Sequence, residues 1–314
     1  MSELDPQVVA YLARLAEAGV PPIGELPPVQ LRKNFAATAA DLFGPVEPMA
    51  SVEDRRTDGG LDVRIYRPLE RAEPSPALVY FHGGGWVVGS LDTHDGIARA
   101  LARGSGRVVL AVDYRLAPEH PFPAGLQDAW SATCWVLDRV AELGLDPDRI
   151  AVCGDSSGAT LAAVVARRAH DSGTQLEAQA LICPALDHSF DTGSYELFAE
   201  GYGLTRAAMR WYWAQYLGGD DGGSSDASPL RATDLAALPS AVVLIAGCDP
   251  LRDEGLAYAQ KLERAGVQVT VLRYDGMIHN FVRLAASIDR AAEDRKSTRL
   301  NSSHIQKSRM PSSA

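Results

Sequence analysis

The sequence predicts an α/β fold, a mostly parallel sheet with helices on both faces. Three observations carry this expectation. Short apolar runs recur along the chain, at 77–81, 108–112, 150–153, 180–183, 242–246 and 269–272. Segments of helical periodicity separate them, and strands alternating with helices build parallel sheets buried on both faces. The length, 314 residues, suffices for one large domain with a sizeable core.

In chain order, residues 1–45 read as helical, with Leu4, Val8, Tyr11, Leu12 and Leu15 on one face. A proline-rich break at 20–28 precedes a second helix from Val29 to Phe43, stopped by Gly44-Pro45. These helices are too small for their own core and must lie on the rest. A strand at 61–66 follows the Asp58-Gly59-Gly60 turn. Helices are expected around 97–102, at 127–143, at 159–169 and at 255–265, with a last one starting near Phe281. Residues 190–225 read as interrupted helix rich in aromatics, among them Trp211, Tyr212, Trp213 and Tyr216.

The formal net charge of −10 disfavours nucleic-acid phosphates as partners. No apolar run reaches the roughly 18 residues of a membrane span, and the acidic start, Met1-Ser2-Glu3-Leu4-Asp5, does not read as a signal peptide. The four cysteines are scattered, without CxxC spacing. They read as free thiols in a cytoplasmic protein, with neither disulfide nor metal. From Asp294 the text runs DRKSTRLNSSH and closes on SRMPSSA. Both pieces are translations of a common sequencing adapter. Residues 294–314 are therefore read as an artefact that replaces the native C-terminus, expected to be disordered, and are set aside.

The chemistry concentrates in two motifs. Gly154-Asp155-Ser156-Ser157-Gly158 fits G-x-S-x-G, placed after a strand and before a helix. A sharp turn there lifts one hydroxyl clear of the backbone, and a helix N-terminus favours developing negative charge. Ser156 is the expected nucleophile, and Ser157 its off-centre competitor. Upstream, His82-Gly83-Gly84-Gly85-Trp86 follows a strand. Acyl transfer builds an alkoxide that fixed donors must meet. The N–H groups of Gly83, Gly84 and Ser157 are the expected oxyanion hole, with His82 holding the loop. A phosphate-binding loop would need a lysine or another glycine spacing.

With this elbow the acid and then the base follow the serine in the chain. Of the seven histidines, His170, His188 and His279 lie between Ser156 and the tail. His279 follows the last strand at the edge where catalytic groups gather, and is the expected base. Asp249 follows the preceding strand and is the expected acid. Asp253, Glu254 and Asp275 are the nearby alternatives.

Together with Asp113-Tyr114-Arg115-Leu116-Ala117-Pro118, Asp249-Pro250-Leu251-Arg252-Asp253-Glu254-Gly255 and His279-Asn280-Phe281, these motifs resemble the bacterial hormone-sensitive-lipase family of carboxylesterases. The resemblance covers the chain to about residue 293. It implies the α/β-hydrolase fold, carboxylic ester hydrolysis without a cofactor, a small-molecule ester as partner and possible homodimerisation, while the lack of a long apolar run separately predicts no stable membrane anchor. It also implies a helical cap of residues 1–45 and an insertion at 187–225, on a core of 46–186 and 226–293. The elbow departs from the family's GDSAGG, with Ser157 where a small apolar residue is usual. Short to medium acyl chains are expected, with Trp86, Asp155, Phe35, Trp211 and Trp213 as candidate pocket residues. An amidase or deacetylase with the same triad is one alternative. A non-catalytic receptor is another, disfavoured by His279.

Overall fold

The computed structural model describes residues 3–291. The adapter-like segment 294–314 lies outside the described residues. In chain order the elements are α1 (Pro6–Glu17), α2 (Pro28–Phe43), β1 (Ser51–Arg56), β2 (Asp62–Arg67), β3 (Ser75–Phe81), α3 (Asp95–Ser105), β4 (Val108–Val112) and α4 (Ala124–Asp138). Then come β5 (Leu145–Asp155), α5 (Ser157–Asp171), β6 (Ala178–Ile182), α6 (Gly193–Leu197), α7 (Arg206–Leu217), β7 (Ser240–Cys248), α8 (Arg252–Arg264) and β8 (Val269–Ile278). The strands form one sheet in the order β1-β2-β4-β3-β5-β6-β7-β8. β2 runs antiparallel to both its neighbours, and every other pair is parallel.

The apolar strands are continuous because both faces are covered. Val79 and Phe81 point toward a layer that holds Leu126, Leu161, Val165 and Leu262 of α4, α5 and α8. Leu78 and Tyr80, their neighbours on the same strand, point to the opposite layer with Ile97 and Leu101 of α3 and Phe281 and Ile288 beyond β8. α5 crosses the middle of the first layer, and eleven of its residues are buried. This central position leaves the N-terminus of α5 rigidly seated at the carboxyl edge of the sheet.

Four differences from the sequence reading have physical causes. β1 shows no apolar periodicity because its Ser-Val-Glu-Asp-Arg-Arg text is charged. It is an edge strand held by register with β2 and by the Arg64–Asp54 pair at 2.6 Å, and charge on an edge strand guards against further pairing. α4 ends at Asp138, since Arg139 leaves helical geometry, and the chain turns through Gly144 at φ +66° into an earlier β5. β8 continues to Ile278 across a bulge opposite β7. Gly276 at φ +78° permits that extension. The helix expected near Phe281 is a single 3-10 turn, Phe281–Arg283, among the described residues.

The N-terminal helices are tied down by backbone contacts as well as by charge. Asp5 caps α1 through Gln7 N–H at 2.8 Å, and its own N–H donates to the Gly276 carbonyl at 3.1 Å. Arg32 of α2 donates to the carbonyls of Val87 and Ala117 at 2.7 and 2.8 Å and pairs with Glu119 at 2.6 Å. α1 and α2 therefore bridge the loop after β3, the Leu116–Glu119 segment and the end of β8. No helix among the described residues is long and apolar enough to cross a membrane.

Candidate active site

Ser156 sits between β5 and α5 at φ 53°, ψ −119°. A non-glycine residue in that region costs about 1–3 kcal/mol and persists only where the surroundings impose it. Here they do. Its N–H is held by the Ile182 carbonyl at 2.7 Å. A Cβ on Gly154 would strike the Gly158 carbonyl, and one on Gly158 would strike the carbonyls of Phe81 and His82. The strand, turn and helix thus close on one another with no room for side chains, and the Ser156 hydroxyl is turned outward.

The partner groups come together through strand register. Cys248 of β7 faces Ile278 of β8, so the next residues, Asp249 and His279, stand side by side. His279 Nδ1 lies 2.8 Å from Asp249 Oδ2, and His279 Nε2 lies 3.0 Å from Ser156 Oγ. The second oxygen of Asp249 accepts Leu251 N–H at 2.8 Å, which orients the carboxylate. The alternatives stand elsewhere. Asp253 accepts Ser194 N–H at 2.8 Å and Arg252 at 2.8 Å. Asp275 pairs with Arg273 at 2.8 Å near the surface. His188 meets Ser228 Oγ at 3.0 Å, and His170 is exposed near the end of α5. Glu254 is buried and accepts Leu186 N–H at 2.8 Å; burial pushes its carboxyl pKa well up.

The glycine loop requires a correction. The sequence reading takes Gly83 N–H as an oxyanion donor, but in the structure that N–H is committed to Asp155 Oδ1 at 2.9 Å. No acceptor among the described residues meets the N–H groups of Gly84, Gly85 and Ser157. The third glycine therefore takes the place of the first. Gly85 is required for space as well, since a Cβ there would enter the Tyr212 ring and its φ is +59°. His82 Nδ1 lies 2.7 Å from the Gly83 carbonyl, and its ring stacks on Tyr114 at 4.4 Å and His94 at 5.0 Å. Burial lowers the pKa of both histidines, with the Arg283 charge adding to the effect at His94. Ser157 Oγ accepts Trp86 N–H at 3.2 Å. The hydroxyl that departs from the family pattern therefore ties the loop to the elbow.

The candidate pocket residues divide. Asp155 is fully buried behind the loop, where its carboxylate accepts Tyr80 O–H at 2.5 Å, Gly83 N–H and Asn280 Nδ2 at 2.6 Å. It holds the loop, the elbow and the His279 turn in register instead of facing substrate. Trp86 and Trp213 are each 1% exposed and pack with Tyr216, so they form the wall's interior. Phe35 and Trp211 remain partly exposed. Sequence reasoning missed Asn280, Tyr80 and Gly85. Asn280 carried a signal, because asparagine tolerates the left-handed φ of 53° found there. Cys183 also approaches the Asp249–His279 pair, its Sγ and their ligand atoms lying within 4.8 Å of one another. Burial pushes the Cys183 thiol well up, so it stays protonated, and both His279 nitrogens are engaged. That donor set suits proton transfer better than a metal.

Comparisons with known proteins agree with this fold. A family defined by the α/β-hydrolase fold matches residues 78–283. The carboxylesterase NlhH of Mycobacterium tuberculosis is 43% identical over 257 residues, 78% of this chain and 80% of that protein. An ethyl acetate hydrolase of Pseudomonas putida is 37% identical over 304 residues, 92% of this chain and 95% of that one. Among solved structures, a hyperthermophilic esterase from Pyrobaculum calidifontis superposes with a TM-score of 0.90 at 39% identity, covering 98% of this chain and 99% of that one. An ester hydrolase from the Lake Arreo metagenome, complexed with a derivative of bipyridine phosphonate, gives 0.91 at 38% identity, covering 98% and 100%. On sequence, fold and the order of its motifs, the chain belongs to the hormone-sensitive-lipase-like family of α/β-hydrolase-fold carboxylesterases.

Proposed function

We propose that this carboxylesterase cleaves short- to medium-chain acyl esters through an acyl-enzyme on Ser156. The supporting observation is the continuous chain Ser156 Oγ, His279, Asp249, at 3.0 and 2.8 Å, beside three unengaged backbone N–H groups. In this reading His279 removes the Ser156 proton as the hydroxyl attacks the ester carbonyl. The Gly84, Gly85 and Ser157 N–H groups receive the oxyanion. His279 then protonates the leaving alcohol, and water, activated by the same imidazole, releases the acid. Asp249 keeps the imidazole in the right tautomer and stabilises its charged form.

A fluorophosphonate probe followed by peptide mass spectrometry tests the nucleophile. The adduct is expected on Ser156, and an adduct on Ser157 or any other residue refutes the assignment.

The chain-length preference rests on bulk beside the oxyanion loop. Tyr212 presses against Gly85, and Trp86, Trp213 and Tyr216 stack behind it. The Pseudomonas putida relative, an ethyl acetate hydrolase, supports small esters as substrates. Nitrophenyl butyrate should be hydrolysed at least about tenfold more efficiently than nitrophenyl palmitate, the order expected when one chain fits a pocket and another does not. Faster cleavage of the palmitate would remove this part of the reading.

Residues 1–45 and 187–225 form the cap in the same reading, supported by the anchoring of α1 and α2 over the carboxyl edge of the sheet. A cytoplasmic location is supported by four free cysteines, three of them buried. A homodimer is supported by the open edge of β8, where Val271 is 38% exposed.

A further inference from the structure

Arg283 closes the 3-10 turn that begins two residues after His279. Arg283 lies four residues after His279, so the reach of the chain keeps the two Cα atoms within about 14 Å of each other. One face of its guanidinium rests on the Phe35 ring of α2, 4.1 Å from the centroid. Tyr11, Tyr212 and Asp155 are close enough to feel its charge. The cation therefore sits where α1, α2 and α7 meet the His279 turn.

The guanidinium has no counterion among the described residues. No carboxylate among the described residues lies within ion-pair distance of it, and none of its nitrogens donates a hydrogen bond to a described residue. Asp155 does not serve, because its oxygens are taken by Tyr80, Gly83 and Asn280. Burial lowers the Arg283 pKa while Asp155 opposes the shift, and an arginine remains a cation at neutral pH. Its nitrogens are not among the sealed, unpartnered atoms of the interior, so they border accessible space. Phe35 covers a face, and no described residue accepts from the N–H groups along the edge of the fork. That edge presents parallel N–H donors, which match the two oxygens of a carboxylate.

We propose that Arg283 is a specificity residue that binds a carboxylate carried by the substrate, remote from the scissile ester. The preferred substrates are then half-esters of dicarboxylic acids or esters of hydroxy acids. The proposal rests on the esterase reading above.

The test compares isosteric pairs that differ only in charge. In the acyl pair, monoethyl adipate is set against the ethyl ester whose far end is a primary carboxamide. In the alcohol pair, the butyrate ester of 4-hydroxybutyrate is set against its carboxamide. In at least one pair the wild type is expected to favour the carboxylate in kcat/KM, chiefly through KM, by about tenfold, the usual effect of a charge-assisted hydrogen bond in a partly buried site. The ratio should fall toward unity in R283Q and be partly kept in R283K. It should also shrink in the wild type as salt is raised, a readout that does not depend on any variant folding. A wild type that favours neither carboxylate, or a preference that R283Q leaves intact, overturns the proposal. Failure of the wild type to hydrolyse even nitrophenyl butyrate would instead sink the esterase reading, and this proposal with it.

Discussion

Ser156→Ala is expected to lower kcat for nitrophenyl butyrate by about a millionfold while leaving the fold intact. Removing the nucleophile of a serine–histidine pair costs about as much as removing the whole triad, because the groups act as one unit. The residual rate should remain above the uncatalysed one, since the loop donors still receive the oxyanion. The substitution should also stabilise the protein slightly, because alanine has no hydroxyl to desolvate at a site only 7% exposed. Stopped or initial-rate assays, with thermal unfolding in parallel, check both halves. Undiminished turnover in this variant would show that Ser156 is not the nucleophile.

Asp155→Ala is expected to destabilise the protein by about 3 kcal/mol or more and to cut kcat/KM sharply. The carboxylate is fully buried, and its loss strands three donors, Tyr80 O–H, Gly83 N–H and Asn280 Nδ2. A buried donor without an acceptor costs about 1–3 kcal/mol. The Tyr80 phenol cannot escape by ionising, because burial, the larger cause, pushes its pKa well up even without Asp155. Asp155→Asn should be much milder. Asn280 Oδ1 has no partner among the described residues, so that amide can turn and accept from the new side chain. Denaturant titration and steady-state kinetics on both variants separate the two expectations. Equal damage from alanine and asparagine would show that charge, and not the count of hydrogen bonds, is what Asp155 supplies.

Most of the sheet was legible in the sequence because its strands are covered on both faces, which forces continuous apolar runs such as 77–81 and 108–112. β1 was not, since an edge strand with charged residues leaves no such trace. The continuation of β8 to Ile278 was also hidden, because Asp275-Gly276 reads locally as a turn and becomes a bulge only when β7 lies alongside. The elbow serine was legible for a different reason. Its sharp turn is built from adjacent residues, and the glycines that make it possible are neighbours in the chain. The histidine and the acid could be placed on strand ends by order.

Taken alone, the sequence determined the α/β architecture, the place of the elbow serine between strand and helix and the type of reaction, since these depend on periodicity and on residues within a few positions of one another. Only the tertiary structure decided which donors are free. Gly83 and Gly85 are both glycines of one loop, yet Asp155, more than seventy residues away, claims the first and leaves the last. The same holds for the pairing of Asp249 with His279, which follows from the register of Cys248 against Ile278, and for Arg283. Arginine in a sequence reads as surface; it becomes a candidate recognition group only when the helices that cover it bring Phe35 and, among the described residues, no ion-pair partner. Local chemistry is written in neighbouring residues, but whether a polar group is spent or available is settled by what the fold places against it.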